Sequence, residues 1–345
     1  MDRRLFLSAL LGAPLPALAQ GFAGLGTDAE GFAVPVRGTP LTFPADHAAH
    51  PDYRIEWWYL TATLTGEDGR DYGLQWTLFR SALAPGRQQL WLGHAALTTP
   101  DAHYSAERRA RGGIGQADVL PPLDAFIDDW HMTSTATSGD PMSALSLAAR
   151  APDFRYALSL TATGPLVLHG DDGYSVKSED GQASYYYSQP FLTAEGEIET
   201  AEGRVVVRGE AWIDREWSSQ PLSPDQTGWD WFSLSFDTGE RLMAFGLRDR
   251  DGSRFTSGTW ISADGTPAPL APNRIRLTPL GTARVAGRTL PVRWRLTLPE
   301  RGLDVTTEPL RDDSWMQTSI PYWEGPLRFS GSHEGRGYLE MTGYE

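Results

Sequence analysis

From Glu56 onward the chain is written in short runs of alternating side chains cut by turn signals, and few architectures accept that pattern. "EWWYLTATL", "TGEDGRDYG" and "LQWTLFR" follow one another, and "YALSLTAT", "VVVRGEAWI", "WFSLSF", "DTGE", "LMAFGLR" and "DGSRFTSGTW" repeat the scheme later. A period of two sends successive side chains to opposite faces of a strand. The Asp-Gly and Gly-Glu turns between runs join such strands into antiparallel hairpins. An all-β fold is therefore predicted. Helical periodicity is scarce, and its best candidate is the short "YSAERRARGG", which ends in glycines.

One scheme occurs twice. "EWWYLTATLTGEDGRDYGLQWTLFR" (56–80) and "DWFSLSFDTGERLMAFGLR" (230–248) each run from an acid through aromatics, an alternating strand and an acidic Gly turn to a second strand ending in Arg. The echo predicts two related β-domains, and a chain of 345 residues is long enough for two cores. The Ser- and Pro-rich "SSQPLSPDQTG" (218–228) is the natural boundary between them. Antiparallel sheets of this size remove their edges by closing or sandwiching, which favours tandem antiparallel β-barrels. The expected division is an export signal over 1–19, an extended Gly- and Pro-rich strap over 20–52, and domains over 53–220 and 221–345.

The first twenty residues, "MDRRLFLSALLGAPLPALAQ", pair two arginines with a short apolar run and a small-residue site at Ala17-Leu18-Ala19. They read as a cleaved export signal, with cleavage expected after Ala19; the paired arginines resemble a twin-arginine signal, and Sec export is the alternative. The chain has no cysteine, hence neither disulfides nor a lipobox. A periplasmic or secreted location without stable membrane insertion is expected. With 44 acidic against 30 basic residues, a formal charge of −14 and no basic block, nucleic acid is not an expected partner.

Chemistry concentrates where acids meet tryptophan. In "AWIDREW" (211–217) a strand puts Trp212, Asp214 and Glu216 on one face and Ile213, Arg215 and Trp217 on the other. Glu56 precedes Trp57-Trp58-Tyr59, and Asp230 lies between Trp229 and Trp231. A carboxyl in apolar surroundings, with a second carboxylate near it, holds its proton toward neutrality and can work as a general acid. The competing reading pairs these acids with Arg215, Arg80 or Arg248 as structural ion pairs. "SYYYSQP" (184–190) sets Tyr185 and Tyr187 on one face and Tyr186 on the other. His94, in "LWLGHAAL", is the one histidine of catalytic interest. The seven histidines show no metal-ligand spacing, so neither metal nor cofactor is expected, and no Gly-x-Ser-x-Gly nucleophile elbow occurs.

"HPDYRIEWWYLTATL", "QWTLFR", "GHAAL", "YYYSQP", "AWIDREWSSQPL", "GWDWFSLSFDTGERLMAFGLRDRDG" and "YWEGPLRFSGSHEGRGYLEMTGY" together resemble the AttH-like family of predicted secreted hydrolases, from about His50 to Tyr344. Carotenoid hydratases are its distant relatives. The resemblance implies two lipocalin-like barrels in tandem. It also implies an activity of the hydratase or hydrolase type on a hydrophobic, isoprenoid or prenylated molecule. The hydratases' Tyr-x-Asp element falls on Trp212-Ile213-Asp214. Asp214 is then the expected acid, and Glu216, Glu56 or His94 the group that orients water. Trp58, Tyr59, Tyr185, Tyr187, Trp212, Trp229, Asp230 and Trp231 are the expected substrate contacts. The alternative is a lipocalin-type carrier whose acids only fasten the barrels together.

Overall fold

The computed structural model describes residue 25 and residues 29–344; the export signal expected over 1–19 lies outside the described residues. The first sheet contains β1 (Ile55–Gly66), β2 (Asp71–Ala82), β3 (Gln89–Thr98), β4 (His103–Arg111), β5 (Ala117–Leu120), β6 (Asp124–Ile127) and β7 (Trp130–Ser134). It continues with β8 (Ala144–Arg150), β9 (Phe154–Ala162), β10 (Val167–Leu168), β11 (Tyr174–Val176), β12 (Ala183–Thr200) and β13 (Gly203–Ser218). The second sheet holds β14 (Gln226–Phe236), β15 (Arg241–Asp249), β16 (Arg254–Ile261), β17 (Pro267–Leu270) and β18 (Arg276–Val285). After these come β19 (Arg288–Leu298), β20 (Leu303–Pro309), β21 (Trp315–Met316), β22 (Tyr322–Gly331) and β23 (Gly335–Met341).

The 13-stranded sheet follows the order β4-β3-β2-β1-β13-β12-β9-β8-β7-β6-β5, with β10 and β11 also paired to β12, and the 10-stranded sheet follows β17-β16-β15-β14-β23-β22-β20-β19-β18, with β21 also paired to β22. The chain is thus nearly all β, in two barrel-like domains, the first nearly closed. The helical candidate is a correction: His103–Arg111 is β4, paired with β3 from Leu90↔Arg111 to Thr98↔His103. Nine residues of fair helix propensity are too few to hold a helix alone, and the edge of β3 offers a full ladder of backbone partners.

Alternation fills each barrel. Trp58, Leu60, Leu74, Trp76, Ile213 and Trp217 belong to the core of the first, and Phe232, Leu234, Trp294 and Trp323 to that of the second. A third apolar cluster joins outward-facing residues of both sheets, among them Tyr59, Tyr186 and Trp212 with Trp231, Met243, Phe245 and Tyr338. The barrels therefore pack side against side through aromatic faces, and this seam positions the site described next.

The repeated opening hairpin has a physical purpose in both barrels. Glu56 and Arg80 are cross-strand partners on β1 and β2, and the fully buried Glu56 carboxylate pairs with Arg80 and Arg215. In the second barrel the buried Asp230 carboxylate pairs with Arg248 at 2.7 Å and Arg254 at 3.0 Å. Each hairpin thus uses its first acid to neutralise the arginine that ends its second strand, inside the barrel mouth.

The strap is fastened across the first barrel. Tyr187 Oη lies 2.7 Å from His47 Nδ1, and Tyr185 Oη accepts the Val36 N–H at 2.9 Å. The Arg215 guanidinium donates to Ala48 O at 2.6 Å. Tyr187 Oη also donates to Asp46 O at 3.1 Å, so Tyr187→Phe should cost about 1–2 kcal/mol of unfolding free energy in urea denaturation, at about 1 kcal/mol for each hydrogen bond lost.

Candidate active site

β13 delivers the alternation read from the sequence. Its inner side carries Ile213, Arg215 and Trp217, and its outer side turns Asp214 and Glu216 into a cavity of about 210 Å³ between the two sheets. That is larger than the roughly 150 Å³ engineered cavity that holds benzene. Trp57 and Tyr59 of β1, Tyr186 of β12, Trp229 and Trp231 of β14, and Phe245 of β15 supply its aromatic walls.

Asp214 is buried and has no cationic partner among the described residues. Its Oδ1 accepts from Trp212 Nε1 at 2.6 Å and from Ser188 Oγ, and its Oδ2 accepts from Tyr186 Oη at 2.6 Å. Tyr186 Oη in turn accepts from Trp231 Nε1 at 3.0 Å, which ties the acid to the second barrel. Ser188 Oγ lies 2.6 Å from His169 Nε2, and His169 Nδ1 lies 2.9 Å from Thr259 Oγ1. Burial pushes the Asp214 carboxyl up to about 7, against the pull of its three hydrogen bonds, and the nearby Glu216 adds to the rise. Two of the three donors are hydroxyls, which can reverse and accept; the indole cannot. With Oδ1 holding the indole, the acid proton belongs on Oδ2.

Glu216 has a different environment. Its carboxylate pairs with Lys177 at 2.8 Å and accepts from Ser184 Oγ. The Lys177 ammonium also stands over the rings of Tyr186 and Phe245, at 4.7 and 4.4 Å. The cavity's charged lysine is thereby neutralised in place. His94 reaches the cavity with Nδ1 at 3.0 Å from Tyr322 Oη, and burial lowers its proton affinity. Tyr59 Oη donates to Glu324, a buried carboxyl that burial and the neighbouring Glu340 raise well above the ordinary range.

Of the residues expected from the sequence, Asp214, Glu216, His94, Tyr59, Trp229 and Trp231 line the cavity. Trp212 stands behind it as an Asp214 donor. The others lie elsewhere. Glu56 is locked between two arginines inside the first barrel, where they hold its carboxyl down at about 2 despite burial. Trp58 fills that barrel under the Arg215 guanidinium, 3.8 Å from its ring centre. Tyr185 and Tyr187 face the strap, and Asp230 is held by Arg248 and Arg254. The structure adds Tyr186, Lys177, Tyr322 and Glu340, which the sequence reading did not place. Alternation sets Tyr186 apart from Tyr185 and Tyr187, and its pairing with Glu216 across the ladder turns that face to the cavity. Among the described residues no group of three or more His, Asp or Glu side chains is arranged to hold a metal.

A family model described as AttH-like matches residues 34–344. An AttH protein of Nitrosomonas europaea has a crystal structure that superposes with a TM-score of 0.82 at 36% identity, covering 91% of this chain and 100% of that one. Kievitone hydratase from Nectria haematococca superposes with a TM-score of 0.67 at 18% identity, over 91% of this chain and 98% of its own, a likeness of fold. No curated protein matches the chain.

Proposed function

The chain belongs to the AttH-like family, and we propose that it is an exported, cofactor-independent hydratase or hydrolase that uses water on a hydrophobic small molecule in the cleft between its barrels. One observation carries this reading: Asp214 sits in an apolar, aromatic-walled cavity, with no salt bridge among the described residues, and is pushed toward its neutral form. An acid that keeps its proton near neutral pH is poised to give it away. An isoprenoid or prenylated substrate suits the walls, and a hydratase shares the fold.

Addition of water to an isolated alkene fits the geometry best. Asp214 gives its Oδ2 proton to one alkene carbon, leaving a cation on the other. The faces of Trp57, Tyr59 and Trp231 stabilise that positive charge. Water then bonds to the cationic carbon from the open side of the cleft and gives up one of its protons, and a proton returns to Asp214 through water before the next turnover. Tyr186, held by Trp231, keeps the acid oriented throughout.

A carrier is the second reading, favoured by the three hydrogen bonds that saturate the ionised form of Asp214. Native mass spectrometry of wild type and Asp214→Asn, both purified from the native host, separates the two. An apolar ligand retained by the variant, which wild type releases heavier by one water, supports the enzyme. The same unchanged ligand in both proteins establishes the carrier.

A further inference from the structure

The two barrels present matching acids across the cleft, and only one of them is neutralised. On β1, Trp57 follows the hairpin acid Glu56 and pairs across the ladder with Glu216 of β13. On β14, Trp231 follows the hairpin acid Asp230 and pairs with Glu340 of β23. Glu340 is therefore the second barrel's counterpart of Glu216, and both line the cavity. Glu216 has Lys177. Glu340 has only a neutral donor, with Trp229 Nε1 2.5 Å from its Oε1, and no salt bridge joins it to a base among the described residues.

Behind Glu340 stands a further carboxyl. Glu324 is its direct cross-strand neighbour, fully buried, and its Oε2 has no hydrogen-bond partner among the described residues. Side chains directly opposite on an antiparallel pair have Cβ atoms about 4.5–5.5 Å apart. Two carboxylates so placed, one fully buried and one half-buried at the cavity wall, with no salt bridge to either among the described residues, cannot both ionise freely. Tyr59, Tyr322, Tyr338 and Tyr156 surround Glu324 with phenols, and Asp214 and Glu216 face Glu340 from the first barrel. Among the described residues that line the cavity, Lys177 is the one lysine or arginine, and Glu216 occupies it.

We infer that Glu340 is the cleft's second proton-exchanging group, which accepts a proton from the attacking water while Asp214 supplies one to the substrate. This rests on the reading of Asp214 as the acid. In the step, the alkene π bond, the Asp214 O–H bond and one O–H bond of water break. A C–H bond, a C–O bond and a Glu340 O–H bond form. The net result is one proton moved from Asp214 to Glu340, and it returns to Asp214 through water in the emptied cleft before the next turnover. Burial, with Asp214 and Glu216 facing it, raises the proton affinity of the acceptor, and Glu324 beside it keeps its own proton. The walls thus divide the labour: the first barrel provides the acid and the second the base.

The test needs no substrate. Infrared difference spectra between pH of about 5 and about 9 report the carbonyl stretch of each carboxyl that gains a proton over that interval. The expected result is that Glu340→Gln removes one such band from the wild-type spectrum. Trp229→Phe, which deletes the donor to the ionised carboxylate, moves the Glu340 band's midpoint to higher pH. Asp214→Asn removes a second band and lowers the Glu340 midpoint. A Glu340→Gln spectrum identical to wild type overturns the assignment of Glu340 while leaving Asp214 standing. Loss of a band in Glu340→Gln but none in Asp214→Asn removes the acid instead, and the two failures are thereby distinct.

Discussion

Asp214→Asn should lower turnover by about 10²–10⁴-fold, the usual contribution of a positioned general acid, while raising stability in alkaline solution. The second effect follows from linkage. The folded protein holds the Asp214 proton up to about 7, whereas the ordinary value is 3.8. Between those limits the folded state binds more protons than the unfolded one, so wild-type stability falls as pH rises from about 4 and levels off above about 7. The difference is on the order of 4 kcal/mol for a shift of about three pKa units. Asparagine cannot ionise and escapes this cost. Urea denaturation at pH 4 and pH 8 should show a wild type that loses ground to the variant, at the same time as the variant loses activity. A purely structural aspartate held by a cation would behave in the opposite way, since its stabilisation would grow with pH.

Glu56→Gln should behave differently: the expected cost is about 3–5 kcal/mol of stability, because removing one partner leaves uncompensated charge in the interior. Arg80 and Arg215 are both essentially inaccessible to water, and Glu56 is the acid that pairs with each. Arginine does not discharge at accessible pH, so neither can escape by releasing a proton. The wild-type carboxyl lies at about 2 in the folded protein, below the ordinary 4.5. Its contribution is therefore present above about 4.5 and fades as pH falls toward 2. Thermal or urea unfolding of the variant near neutral pH measures the loss, and acid titration of wild type should trace the same energy. Asp230→Asn tests the matching device of the second barrel, with Arg248 and Arg254 in the roles of Arg80 and Arg215.

These two acids mark how far local sequence reaches. The parity of "AWIDREW" was legible because strand alternation is local, and Asp214 and Glu216 do share a face. The repeated hairpin was legible for the same reason. What joins Glu56 to Arg215 is not local: the pairing crosses from β1 to β13 over 159 residues of chain. Acid next to tryptophan therefore looks alike in "EWW", "DREW" and "WDW", although two of these acids are inside barrels and one group faces the cleft. The tyrosines of "SYYYS" show the limit most clearly. Alternation separates Tyr186 from its neighbours, but only the register with β13, Tyr186 against Glu216 and Ser188 against Asp214, decides which face looks into the cavity.

Lys177 was illegible because it stands in the irregular connection between β11 and β12, where no periodicity operates. Glu340 carries a clear alternating pattern in "GYLEMTGY". Its importance comes from β23 pairing with β14, more than a hundred residues earlier in the chain, which sets it against Trp231. The strand "HYSAERRAR" shows tertiary pairing overriding composition: its alanines, arginines and glutamate favour a helix in isolation.

The cleft chemistry comes down to whether a single carboxyl keeps its proton in an aromatic seam between two barrels. NMR titration of protein labelled at the aspartate carboxyl carbons measures it directly. One resonance with a midpoint near 7, missing from Asp214→Asn, is the expected result. A set of aspartates that all lose their protons at or below about 4, the ordinary range, would contradict the acid and with it the proposed reaction.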